Sequence, residues 1–198
     1  MRSLLLVDFD GTLCFDRFWR SVSPEVMAQI QSLLFSANRD LIRNWMRGQY
    51  SSEQVNRFIA DTTGVAYDDL WEMFVRDCEN MSVSPKALAQ VALLRERFHT
   101  VLLTDNMDCF TRFTVPKLQL NAYFDHILNS ADHGKMKSDN DGELFAKLAK
   151  KIGVSIDQTW LVDNSVSACE HITKQGGRAC LVTSEQTCEY WLDSLLLC

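Results

Sequence analysis

Short apolar runs bounded by polar residues recur along the chain, and the stretches between them carry apolar residues at helical spacing. Leu4-Leu5-Leu6-Val7 shows no alternation and stops at an acid, as a strand buried on both faces does. Comparable runs lie at His99 to Leu103, Phe124 to Leu128, Thr159 to Val162 and Ala179 to Val182. Ser84-Pro85 opens a helix with Ala87, Leu88, Val91 and Leu94 on one face. Leu144, Phe145, Leu148 and Ile152 mark another, ending at Gly153, and a third runs from Ser165 to Gln175 before Gly176-Gly177. Parallel strands need crossovers of this length, so the pattern predicts an α/β fold: a doubly wound parallel sheet with helices on both faces.

From Cys14 to about Ser84 the strand pattern is missing and helices follow one another. Ser23-Pro24 opens one with Met27, Ile30, Leu33 and Leu34 inward, and a second runs through Leu41, Ile42, Trp45 and Met46 to Gly48. Ser51 with Gln54 reads as a capping box for a third helix ending at Gly64, and the fourth carries Leu70, Trp71, Phe74, Val75 and Cys78. The pattern predicts an all-helical unit over residues 14–84, inserted into a core made of 1–13 and 85–198. Its Trp and Met residues are read as internal packing.

Composition narrows the function. A length of 198 residues with 46% hydrophobic content suits one ordinary domain carrying an insertion, and excludes wholesale disorder. A formal net charge of −6 and no basic run argue against nucleic acid or an anionic membrane as partner. Leu4 to Val7 is too short for a signal peptide or a membrane span, so a cytoplasmic protein is expected. The 7 cysteines are scattered without a CxxC pair, which fits reduced thiols, most of them in the core.

The candidate chemistry begins where the first strand ends, at Asp8-Phe9-Asp10-Gly11-Thr12. Open α/β sheets place ligands at that carboxyl edge. Acids two apart on an extended chain begin on the same side, although a turn at Gly11 can re-aim the second. Such a pair repels itself unless a cation intervenes, and hard oxygen ligands of this kind suit Mg²⁺.

Asp8 to Thr12 resembles the DxDGT motif of the haloacid dehalogenase (HAD) superfamily, and the helical insertion just after it is similar to a C1 cap. The resemblance implies an aspartate nucleophile at Asp8, forming an aspartyl-phosphate, and an acid/base at Asp10. Thr104, closing the run Val101-Leu102-Leu103, matches the hydroxyl residue of the second motif, with Asp105 where the family often has Asn. Gly134-Lys135-Met136-Lys137-Ser138-Asp139 holds the place of the phosphate-binding lysine. Lys137 fits best, because Ser138-Asp139 then stands in the usual Pro-Asp position; Lys135 is the alternative. Asp163-Asn164 occupies the place of the metal-binding acids, Asn164 without the usual charge, and Ala168 stands where a further polar ligand is frequent.

By that resemblance Mg²⁺ would be held by Asp8, Asp10, Asp163 and Asn164, and the expected activity is hydrolysis of a small phosphorylated metabolite such as a sugar phosphate or nucleotide. The acid at Asp10 speaks against dehalogenation. No lysine precedes Lys86, so a Schiff-base lysine in the helical insertion is excluded. Two alternatives remain open: a phosphomutase of the same fold, and a degenerate member that binds without turnover. The sequence does not address oligomeric state.

Overall fold

The computed structural model describes residues 2–197. The chain begins with β1 (Ser3–Val7) and then forms four helices in succession: α1 (Pro24–Gln31), α2 (Arg39–Met46), α3 (Ser52–Thr63) and α4 (Tyr67–Glu79). A π-helical segment, Ser32–Ala37, prolongs α1. After α5 (Pro85–Leu94) come β2 (Phe98–Thr104), the short α6 (Val115–Lys117), β3 (His126–Asn129) and the single turn α7 (Ser130–His133). The remainder is α8 (Glu143–Ile152), β4 (Thr159–Asp163), α9 (Val166–Lys174), β5 (Arg178–Leu181) and α10 (Cys188–Leu197).

The five strands form one parallel sheet in the order β3-β2-β1-β4-β5. β1 therefore lies at the switch point, where the chain leaves one half of the sheet for the other. Its residues alternate between two cores. Leu5 and Val7 pack with Ala87, Val91 and Leu94 of α5 and Leu192 and Leu195 of α10. Leu4 and Leu6 pack with Phe145 and Leu148 of α8 and Ile172 of α9. Burial on both faces explains the unbroken apolar run.

The third strand starts later than its apolar run. The Tyr123 amide donates to the Leu120 carbonyl at 3.0 Å, closing a 3-10 turn at Leu120–Ala122, and the Phe124 amide donates to the same carbonyl at 3.2 Å, so pairing begins at His126. β5 pairs one residue earlier than expected, from Arg178. α10 is an element that the apolar pattern did not mark.

Helices α1 to α4 share a further core around Ile30, Leu34, Trp45, Ile59, Leu70 and Phe74, which Met107 and Cys109 join from the segment after β2. Local sequence explains their ends. Ser23 caps α1 with Pro24 in its first turn, Ser51 and Gln54 form the capping box of α3, and Gly64 ends α3 in the left-handed conformation. The six described cysteines are buried and none of them is in a disulfide; Cys198 lies outside the described residues.

Candidate active site

The carboxyl ends of β1 and β4 bring three buried charged groups together. β1 and β4 pair in register as far as Val7 and Val162, and the Asp8 amide donates to the Val162 carbonyl at 3.0 Å. Asp8 and Asp163 thus leave adjacent strands side by side, 4% and 0% exposed. The Lys137 ammonium stands between them, 2.8 Å from Asp8 Oδ1 and 2.6 Å from Asp163 Oδ2.

Two carboxylates share one ammonium, which leaves an uncompensated negative charge in a dry site. Burial, and then the Asp8 charge, push the Asp163 carboxyl up to about 6, against the pull of Lys137. Burial alone would lower the lysine, but Asp8, Asp163 and Asp105 more than offset it and hold the ammonium well above the ordinary amine range. Lys137 is therefore a fixed cation at neutral pH.

The loop that presents Lys137 is held by acids on both sides of it. The Lys137 amide donates to the Asp105 carboxylate at 2.9 and 3.2 Å, directly after β2. Asp139 accepts from the Met136 amide at 3.0 Å and pairs with Arg47, just beyond α2. Desolvation raises the Asp105 carboxyl, with Lys137 opposing. Sequence reasoning noted Asp105 only as a departure from a pattern; the structure shows it positioning the lysine loop. Lys135 is exposed on the same loop.

Asp10 takes a different direction. The backbone turns at Gly11, with φ +74°, and the Asp10 side chain is 56% exposed, its Oδ1 accepting from Arg17 Nη1 at 2.6 Å. The predicted turn points this acid to Arg17 rather than to the Lys137 ammonium, while the Asp8 and Lys137 charges still reach it. Lost hydration in the cleft raises its carboxyl and Arg17 lowers it, with Asp8 adding a smaller upward push; water still reaching the side chain screens part of this.

Thr12 folds back over Asp8, its hydroxyl 3.4 Å from Asp8 Oδ2 while accepting from the Asn164 amide at 3.1 Å. The Asn164 carboxamide is packed against Gly11. Thr104, at the end of β2, has a buried hydroxyl without a hydrogen-bond partner. A hydroxyl stranded in this way is destabilising unless something completes it.

The donor set suits a hard cation. Two buried carboxylates carry excess negative charge, and a neutral amide oxygen stands near, which is the chemistry Mg²⁺ selects. Among the described residues no three acidic, histidine or cysteine side chains already form a metal cage, because Asp10 is drawn out to Arg17.

A doubly wound parallel sheet with buried acids and a lysine at its switch point defines a Rossmann-like α/β protein with a charged cleft at the strand ends. The sequence model of the haloacid dehalogenase-like hydrolases matches residues 3–167, and the chain belongs to that family. No curated protein matches it. A HAD family enzyme from Bacteroides thetaiotaomicron, solved with magnesium and inorganic phosphate, superposes with a TM-score of 0.70 at 14% identity, covering 93% of this chain and 96% of that one. A predicted HAD-like hydrolase from Porphyromonas gingivalis gives 0.68 at 16% identity, with 91% of each chain covered. A 2-haloacid dehalogenase from Pseudomonas syringae gives 0.66 at 18% identity, covering 100% and 99%. At these identities the likeness concerns the fold.

Proposed function

We propose that the protein is a Mg²⁺-dependent phosphomonoesterase that works through an aspartyl-phosphate on Asp8. The observation behind this is the buried Lys137 ammonium, 2.8 Å from Asp8 and 2.6 Å from Asp163, beside the unpartnered Thr104 hydroxyl. That set has a nucleophile, a fixed cation for phosphoryl oxygens and a donor awaiting an acceptor. The Bacteroides relative's complex with magnesium and phosphate supports the same chemistry.

In the first step an Asp8 carboxylate oxygen bonds to phosphorus and the ester P–O bond breaks, while Asp10 gives its proton to the leaving alkoxide. The raised Asp10 carboxyl suits a proton donor. In the second step water attacks phosphorus, Asp10 takes its proton, and the Asp8–phosphate bond breaks to free inorganic phosphate. Lys137 and the Thr104 hydroxyl hold phosphoryl oxygens throughout. Asp8 and Asp163, with Asn164 and the Asp10 carbonyl, would hold Mg²⁺, which when bound neutralises phosphoryl charge so that a carboxylate can approach.

Although the dehalogenase fold is shared, a halide leaves without a proton, so the proton-donor task given to Asp10 in the first step would have no counterpart there. Residues 14–84 act in this proposal as a cap over the site, contributing exclusion of water and specificity. No helix among the described residues is long and apolar enough to cross a membrane, and the absence of disulfides among the described cysteines suits the reducing cytoplasm.

Phosphate release from p-nitrophenyl phosphate, with and without Mg²⁺, tests the reading. Wild type should turn over only with the cation, and Asp8→Asn should lose at least a thousandfold in kcat, as loss of a nucleophile does. Full activity in Asp8→Asn, or turnover indifferent to Mg²⁺, overturns it. Phosphate release without a bisphosphate primer separates hydrolysis from mutase action.

A further inference from the structure

A cavity of about 740 Å³ opens beside Asp10 and Asp105 and runs under α1, the π-helical segment and α2. It lies on the side where Asp10 would protonate a leaving group. We infer that it receives the body of that leaving group, and that the substrate is the monophosphate ester of an apolar, uncharged alcohol, alkyl or aryl; this rests on the phosphatase reading above. The volume is ample for such a group and lies in the range of small-molecule sites.

The walls state the chemistry. Deep in the cavity stand Ile30, Trp19 and Phe110, which are 0%, 2% and 1% exposed. Four of the 7 methionines in the chain, Met27, Met46, Met81 and Met107, line it as well, giving a lining that adapts to apolar shapes.

Several polar atoms of the inner wall are already engaged. Trp19 Nε1 donates to Asn56 Oδ1 at 2.8 Å, so its indole presents carbon to the cavity. The Thr114 hydroxyl donates to the Cys78 carbonyl at 2.8 Å, and Asn106 Oδ1 accepts from the Met107 amide at 2.9 Å. Arg17, which is the cation of the lining, is held by Asp10. A sugar would therefore bring hydroxyls to walls with few open partners, each costing about tenfold in affinity.

Charge excludes other classes. The lining carries three acids, Asp10, Asp16 and Asp105, and one cation, Arg17, which Asp10 already holds, while Arg20 pairs with Asp16 at 4.0 Å and Lys137 draws on Asp105 from outside the lining, so a second anionic group, such as a further phosphate or a carboxylate, would find no cation of the wall without a carboxylate partner. At the mouth the balance changes: Gln31, Ser32 and Ser36 are exposed, and among them Phe35 lines the cavity with 50% of its surface in water. An apolar ligand would cover that ring.

The test is kcat/KM with Mg²⁺ for n-alkyl phosphates from ethyl to hexyl and for phenyl phosphate, beside glucose 6-phosphate and AMP. The ratio should climb about fourfold per methylene, the equivalent of about 0.8 kcal/mol. Hexyl and phenyl phosphates should exceed both polar esters by about a hundredfold or more, and Phe35→Asp should flatten the slope while its thermal midpoint shows it folded. Calorimetric binding of the matching alkylphosphonates needs no turnover and should show the same climb. Phosphate release with a flat series, or preference for the sugar phosphate or nucleotide, overturns the apolar assignment and leaves the phosphatase standing. Absent turnover with phosphonate affinity climbing along the series supports the pocket and removes the hydrolytic reading; absence of both removes both.

Discussion

Gly11 sits at φ +74°, and a Cβ added there would come within 2.2 Å of Asn164 Nδ2. The left-handed backbone costs alanine about 1–2 kcal/mol, and the clash moves the amide that faces Thr12. Gly11→Ala should therefore lose about 1–2 kcal/mol in urea unfolding and at least tenfold in kcat/KM. Unchanged kinetics in a destabilised variant would show that the place of Asn164 is immaterial. Thr104→Val makes the opposite pairing of effects. It removes a buried hydroxyl that has no partner and keeps a β-branched side chain of the same shape in the strand, so stability should rise by about 1 kcal/mol while kcat/KM falls. A fall in both would mean that the hydroxyl is satisfied inside the protein. At this scale the Asp8 to Thr12 motif was legible because its spacing is local. The turning of Asp10 to Arg17 and the grip of Asp105 on the Lys137 amide were not, since both depend on partners set by the folded chain.

Elements were legible where one face is apolar and the ends are capped. Ser51 with Gln54 and Ser84 with Pro85 named the starts of α3 and α5 within a residue. α10 escaped because apolar residues surround it: Cys188, Leu192 and Leu195 are buried, but Tyr190 and Leu197 are exposed and blur the stripe. Its partners are tertiary, with Trp191 Nε1 donating to the Leu181 carbonyl at 2.8 Å and Asp193 pairing with Lys86 at 3.0 Å. Asp125 is a comparable tie, joining the turn after α5 to β2 through Arg95 at 2.9 and 3.0 Å and the Thr100 amide at 3.0 Å. Burial raises its carboxyl, but the Thr100 amide and Arg95 together outweigh this and hold it below the ordinary range. A depressed folded value gives stability that is complete above the unfolded pKa, about 3.9, and is lost as pH falls through the folded value. Asp125→Asn should thus be about 1–2 kcal/mol less stable than wild type at pH 7, with the gap closing as pH falls below the ordinary carboxylate range. Urea midpoints across that range decide it, and a gap independent of pH would show that the carboxylate charge contributes nothing.

The whole molecule joins two differently built parts: a sheet packed on both faces, and α1 to α4 around their own core. Among the polar ties that cross between them, two hold the segment after β2 and the lysine loop. In the first, Asp108, following β2, accepts from Trp45 Nε1 at 2.7 Å, Ser52 Oγ at 2.6 Å and Arg112 at 2.8 Å, and Arg112 also pairs with Glu53 at 2.5 Å. In the second, Arg47 reaches Asp139 on the lysine loop, where Gly48 lies so close to the Ala131 carbonyl that a Cβ would meet it at 2.2 Å. Asp108→Ala leaves the buried Trp45 and Ser52 donors unpaired, for about 2–4 kcal/mol; Arg47→Ala, at a more open pair, should cost less than about 1 kcal/mol. The informative variant carries both. If the helices form a unit of lower local stability resting on these ties, hydrogen exchange in α1 to α4 should quicken by at least tenfold while amides of β1, β2 and β4 keep their protection. The same variant should show a raised KM, because the lysine loop and the cavity roof lose their common anchor. Equal quickening through sheet and helices would mean one cooperative unit. The ties would then stabilise the fold without governing access to Asp8.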